Sequence, residues 1–127
     1  MRWIVDGNNV MGSRPDGWWR DRPAAMSRLV SELVAFARRT GDEVTVFFDG
    51  GPFALDGGDA VAVRFASRRG PNAADDDIAA LTAQEAEAGD LVVATSDAGL
   101  AARVRESGIE VEGAGAFLRR LQSSRRS

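Results

Sequence analysis

The chain has 127 residues, 16 basic groups against 19 acidic ones and a formal net charge of −3. That is the length of one ordinary domain, and 44% hydrophobic residues make it globular rather than disordered. Cys, His and Tyr are absent and every basic residue is Arg, which excludes zinc, haem and iron–sulfur sites, Ser-His-Asp and Cys-His nucleophiles, and any lysine-dependent phosphate loop or Schiff base.

Residues 1–5 predict a short strand that stops at the turn-forming cluster Asp6-Gly7-Asn8-Asn9. A loop is expected next, carrying Pro15, Gly17 and the pair Trp18-Trp19. Met26, Leu29, Val30, Leu33, Val34 and Ala37 recur at steps of three and four, so residues 22–39 predict a helix closed by Gly41. Residues 44–48 are β-branched and aromatic and predict a buried strand ending in Asp49-Gly50-Gly51. Residues 61–65 predict an alternating strand with Arg64 on one face. The polar loop Ser67-Arg68-Arg69-Gly70-Pro71 separates it from a helix opening at Asn72-Ala73-Ala74-Asp75-Asp76-Asp77 and running to about residue 88. Residues 91–94 predict another buried strand, followed by Thr95-Ser96-Asp97, a helix over 98–107, a short strand over 109–112 and a last helix over 114–121. Residues 1–121 are expected to form a single domain and residues 122–127 a frayed basic tail. No apolar run reaches the ~18 residues of a membrane span, and Trp3-Ile4-Val5 is too short for a signal peptide. Without Cys nothing speaks for an oxidising compartment, so the cytoplasm is the expected location.

Alternating strands and helices predict an α/β sandwich with a mainly parallel sheet, whose site lies beyond the carboxyl ends of the strands. Three of the buried strands lead into Asp6, Asp49 and Asp97. In a parallel sheet those carboxylates share one edge, and the helix opening at Asp75 and Asp76 points its N-terminus to the same edge. Taken singly, each Asp is an ordinary turn or capping residue. Together they repel: two carboxylates about 4 Å apart cost ~4 kcal/mol at an effective dielectric near 20. Protonation or a bound cation is the relief. An oxygen-only donor set selects a hard ion, Mg²⁺ or Mn²⁺, and such sites handle phosphate esters.

Other α/β chemistries fit less well. A haloacid-dehalogenase-like phosphatase needs Asp-x-Asp where this chain has Asp6-Gly7-Asn8. A response-regulator receiver needs a Lys. Gly113-Ala114-Gly115 lacks the third glycine of a dinucleotide fingerprint. Asp75-Asp76-Asp77 contains the Asp-x-Asp of toprim domains but opens a helix.

Asp6-Gly7-Asn8-Asn9, Phe48-Asp49-Gly50, Ala74-Asp75-Asp76-Asp77-Ile78 and Thr95-Ser96-Asp97 follow one another in an order and spacing that resembles the NYN domain, YacP-like branch, of the PIN-like nuclease superfamily. The resemblance covers nearly the whole chain. It implies a three-layer α/β/α fold and a metal-dependent endoribonuclease. It further implies Asp6, Asp75 and Asp97 as metal ligands, with Asp49 and Asp76 contributing directly or through water. Asn9 is implied to orient the Asp6 carboxylate or the phosphate.

With those five aspartates set aside, the 16 arginines slightly outnumber the remaining acids. Arg64, Arg68 and Arg69 precede the acidic helix and are candidate contacts to an RNA backbone, against the plainer reading of a solvated loop. Trp18-Trp19 could stack unpaired bases, although core packing is the commoner role for at least one of them. The expected substrate is single-stranded RNA. A non-catalytic RNA-binding module and a small-molecule phosphohydrolase are the alternatives.

Overall fold

In the computed structural model, which describes residues 1–50, 54–67, 73–85 and 89–125, the expected alternation of strands and helices is present. The elements are β1 (Arg2–Asp6), α1 (Gly7–Gly12), α2 (Arg22–Thr40), β2 (Glu43–Phe48), β3 (Val61–Phe65), α3 (Ala73–Gln84), β4 (Leu91–Ala94), α4 (Ala98–Glu106), β5 (Glu110–Glu112) and α5 (Ala114–Arg125), with a 3-10 turn at Trp18–Arg20. The strands form a parallel sheet in the order β3-β2-β1-β4-β5. The chain winds outward from β1 to one side through β2 and β3, then returns to the other through β4 and β5. The crevice where the order reverses lies between β1 and β4.

Side-chain alternation along each strand sorts the core into two layers. Trp3, Val5, Val46, Phe48, Val92 and Ala94 pack with residues of α1, α2 and α5 on one face. Ile4, Phe47, Leu91 and Val93 pack with Ala74 and Ile78 of α3 and with Leu100 and Val104 of α4 on the other. The result is a three-layer α/β/α sandwich. On the first face Trp3 meets the ring of Phe117 at 5.1 Å and that of Phe36 at 5.9 Å. Helix α2 begins where Asp21 accepts from the amide of Ala24 and Pro23 occupies the first turn, and it ends at Gly41, whose φ of 77° suits a residue without Cβ.

Three elements depart from the sequence reading, one of them α3, which ends at Gln84 rather than near residue 88. Residues 7–12 form a helix rather than a turn. Gly, Asn and Asn are poor helix formers, so this helix is held by tertiary contacts. Val10 and Met11 are buried, and a Cβ at Gly7 would stand 2.5 Å from the Phe48 ring and 2.8 Å from the Phe47 carbonyl oxygen. Only glycine lets α1 start directly over the end of β2. Helix α5 also continues past Leu121 to Arg125, with Arg39 Nη1 donating to the Ser123 carbonyl at 2.8 Å. No helix among the described residues is long and apolar enough to cross a membrane.

Candidate active site at the carboxyl edge of the sheet

Register puts Val5 of β1 beside Ala94 of β4, so Asp6 and Thr95 are the next neighbours beyond the ladder. Asp6 lies two residues after Ile4 and Thr95 two after Val93, which turns both toward the α3 and α4 face. Asp6 is only 3% exposed, and its Oδ2 accepts from the buried Thr95 hydroxyl at 2.8 Å. The same hydroxyl oxygen accepts from the amide of Asp97 at 3.1 Å. Asp97 Oδ1 in turn accepts from the amide of Leu100 at 2.8 Å and caps α4. Asp49, at the end of β2, accepts from the amide of Ala74 at 2.8 Å and closes the start of α3. Strand ends and helix starts are thus joined through the acids themselves.

The electrostatics follow from this crowding. Burial pushes the Asp6 carboxyl up to about 7, opposed by the Thr95 hydrogen bond and reinforced by the charges of Asp75, Asp49 and Asp97. Asp75 is raised by burial and by Asp97 and Asp49, with Arg103 opposing. The group therefore holds more negative charge than its surroundings stabilise. Its donors are all carboxylate oxygens, which suits a hard divalent cation in kind. Among the described residues, however, no three acidic side chains converge tightly enough to enclose an ion as they stand.

Residues 3–127 match the family model of the YacP-like NYN domain. The chain belongs to this family. It is a family of ribonuclease type. The solved structure of Rae1 (YacP) from Bacillus subtilis is similar, with a TM-score of 0.81 at 26% identity over 99% of this chain and 76% of that one. A mutant of the same Bacillus subtilis protein gives a TM-score of 0.80 at 24% identity, covering 99% of this chain and 77% of the other. No curated protein sequence matches the chain.

Within this NYN domain the structure brings Asp49, Asp75 and Asp97 into electrostatic reach of Asp6, and Asp49 and Asp97 into reach of Asp75. Asp76 Oδ1 accepts from Arg103 Nη1 of α4 at 2.9 Å, and the charge of the same arginine reaches Asp75. Asp77 is engaged by the amide and hydroxyl of Ser67, each at 2.7 Å. Asn9 does not hold Asp6: its Oδ1 accepts from the amide of Ser96 at 2.7 Å. A residue in the first turn of a helix starting at Gly7 reaches sideways to the next strand end, not back to Asp6.

Arg64 is exposed on the edge strand β3. It lines a groove of about 460 Å³ with Phe47, Phe65, Ser67, Asp77 and Leu81. Arg68 and Arg69 lie outside the described residues. Trp18 packs against the core, whereas Trp19 is 58% exposed. The sequence reading passed over Thr95 as a strand end and assigned no role to Asn8, Ser96 or Arg103. For Thr95 a signal did exist, because alternation from Val93 already placed it on the acidic face.

Proposed function

We propose that this NYN domain is a divalent-metal-dependent endoribonuclease acting on single-stranded RNA. The observation that carries the reading is Asp6. It is a carboxylate buried at the β1–β4 crevice, in the company of three further acids, in a chain that has arginine available to neutralise buried acids elsewhere. Asp6, Asp75 and Asp97 would hold the ion, with Asp49 bordering them. Bound there, Mg²⁺ or Mn²⁺ would offset the carboxylate charge and stabilise charge developing on phosphodiester oxygens.

The chain's own groups prepare that site. Thr95 Oγ1 fixes one oxygen of Asp6, and its acceptance from the Asp97 amide ties the two acids to one hydroxyl. Asp97 keeps Oδ1 on the α4 cap, so its other oxygen is the one available to a ligand. Arg103 donates to Asp76, and Asp75 is the acid of that pair on which the charges of Asp97 and Asp49 act. On the flank, the Arg64 groove offers a cation and half-buried aromatic surface to an RNA strand, and Arg68 and Arg69 would add backbone contacts. Splayed single-stranded bases suit such a groove better than a stiff duplex.

The test is to incubate the pure protein with RNA, DNA and a chromogenic phosphate ester in Mn²⁺ or EDTA. Cleavage of RNA that requires Mn²⁺ is the expected result. RNA binding without cleavage would instead make the domain a binding module, and turnover of the ester alone would make it a small-molecule phosphohydrolase.

A further inference from the structure

Two consecutive side chains of α1 reach in opposite directions. Asn8 Oδ1 accepts from the amide of Asp49, at the end of β2, at 2.8 Å. Asn9 Oδ1 accepts from the amide of Ser96, beyond β4, at 2.7 Å. Each of these two donor residues then closes a helix with its side chain. Asp49 Oδ1 accepts from Ala74 N at the start of α3, and Ser96 Oγ accepts from Ala114 N at the start of α5, both at 2.8 Å. Asn8 and Asp49 are 41 residues apart in the chain, and Asp49 and Ala74 are 25 apart. These are long-range braces rather than local turns.

We propose that Asp49 is a positioning residue: held at its amide by Asn8, it fixes the first turn of α3 through Ala74 and thereby sets Asp75 against Asp6 and Asp97. The assignment rests on reading the acid cluster as a metal site. Asp75 is the residue after Ala74, so any slip of the Ala74 amide moves Asp75 directly. Displacements of about 1 Å at a reacting centre can cost on the order of 10²-fold in rate. What α3 takes from Asp49 is an acceptor oxygen, and an asparagine offers the same oxygen with equal capping preference. A ligand would need the charge; a brace needs only the oxygen. Asn8 completes the brace, because without it the backbone at Asp49 loses its tie to α1.

Asp49→Asn, Asp49→Ala and Asn8→Ala are to be compared in the full chain. The readouts are hydrogen exchange at the Ala74 amide, the Mn²⁺ concentration giving half of the rise in melting temperature, and RNA cleavage. Asp49→Asn should keep Ala74 protection; because it removes a charge that reaches Asp6 and Asp75 it should need about threefold more Mn²⁺, with cleavage at saturating Mn²⁺ lowered far less than in Asp49→Ala. Asp49→Ala should lose about tenfold in protection, need about tenfold more Mn²⁺ and lower kcat more than KM. Asn8→Ala should fall between. An Asp49→Asn protein as inactive as Asp49→Ala at saturating Mn²⁺, with Ala74 still protected, makes Asp49 a ligand and overturns the proposal. Unchanged Ala74 exchange in Asp49→Ala overturns it too, as does a wild type that shows no Mn²⁺ response. If wild type fails to cleave RNA while exchange and Mn²⁺ responses follow the expected order, the ribonuclease reading falls and the positioning role stands.

Discussion

Among the described residues two carboxylates are buried, and they are treated in opposite ways. Glu32, in the middle of α2, is gripped by both terminal guanidinium nitrogens of Arg14, Nη1 to Oε1 at 2.6 Å and Nη2 to Oε2 at 2.7 Å. Asp6, at the end of β1, receives a neutral hydroxyl and faces three other acids. A bidentate arginine is the ordinary way to bury a carboxylate. The chain uses it at Glu32, where the pair ties α2 to the segment following α1, and withholds it at Asp6. The imbalance is therefore not imposed by the composition. It is local to the crevice where the strand order reverses, and a bound cation is the partner that would complete it.

The comparison breaks most sharply along the pH axis. The folded Asp6 carboxyl titrates near 7 against 3.8 for the free group. Its protonated form is thus favoured by folding, and that contribution is full below about pH 4 and lost as pH rises through 7. Without metal the fold should lose on the order of 4 kcal/mol from this group between those limits. Asp75 shifts the same way and adds to the slope. Urea titrations across that range should show the decline in wild type, a flatter profile in Asp6→Asn, and recovery of wild-type stability by Mn²⁺ at pH 8. A wild-type profile that rises from pH 4 to 8 would contradict the picture of an uncompensated acid.

Activity should be the next largest effect. Asp6→Asn keeps the shape and the Thr95 contact but removes a charge that the proposed ion needs, and RNA cleavage should fall by about 10²-fold or more, ~3 kcal/mol in the barrier. The same substitution should stabilise the metal-free protein at neutral pH, so function and stability move in opposite directions. At Glu32 they should not. Glu32→Ala leaves Arg14 half-buried without its main partner and should cost ~2 kcal/mol of stability in a denaturant titration. The Mn²⁺ requirement for cleavage should not change. If Glu32→Ala alters the Mn²⁺ requirement, the two regions are coupled and the contrast fails.

The sheet, the main helices and the acid cluster were legible because they rest on local pattern. Strand runs ending in Asp6, Asp49 and Asp97 and the acidic first turn of α3 are visible in sequence, and a parallel sheet brings such ends together. What stayed hidden depends on packing between distant elements. Helix α1 reads as a turn because its residues are poor helix formers, and its helicity comes from Val10, Met11 and the two asparagine braces. The resemblance implies Asn9 as a partner of Asp6 or of the phosphate, yet in the fold its Oδ1 accepts from the amide of Ser96, 87 residues away. Asp75 and Asp76 are indistinguishable in sequence. They differ once α4 packs beside α3: Arg103 hydrogen-bonds Asp76, while Asp75 is part-buried against the charges of Asp97 and Asp49.

The smallest effect concerns the edge of the cluster. Arg64 is the sequence-derived RNA contact whose position is described, and it stands in the groove between β3 and α3 rather than among the acids. It is exposed, so it loses little water on meeting a phosphate and gains correspondingly little. A contact there exists in ground and transition states alike, which makes it uniform binding and leaves turnover at saturating RNA unchanged. Arg64→Ala should therefore weaken RNA binding by only a few fold. It should also flatten the dependence of log affinity on log salt by about 0.7, the contribution of one phosphate contact to a single strand. Measuring binding in EDTA at several salt concentrations separates this term from the metal. Asp6→Asn, by contrast, should leave the salt slope of the metal-free complex near wild type or strengthen binding slightly, since it removes a negative charge beside the phosphate. If Arg64→Ala changes neither affinity nor slope, the groove is not on the path of the strand, and the cationic contacts must come from elsewhere on the chain.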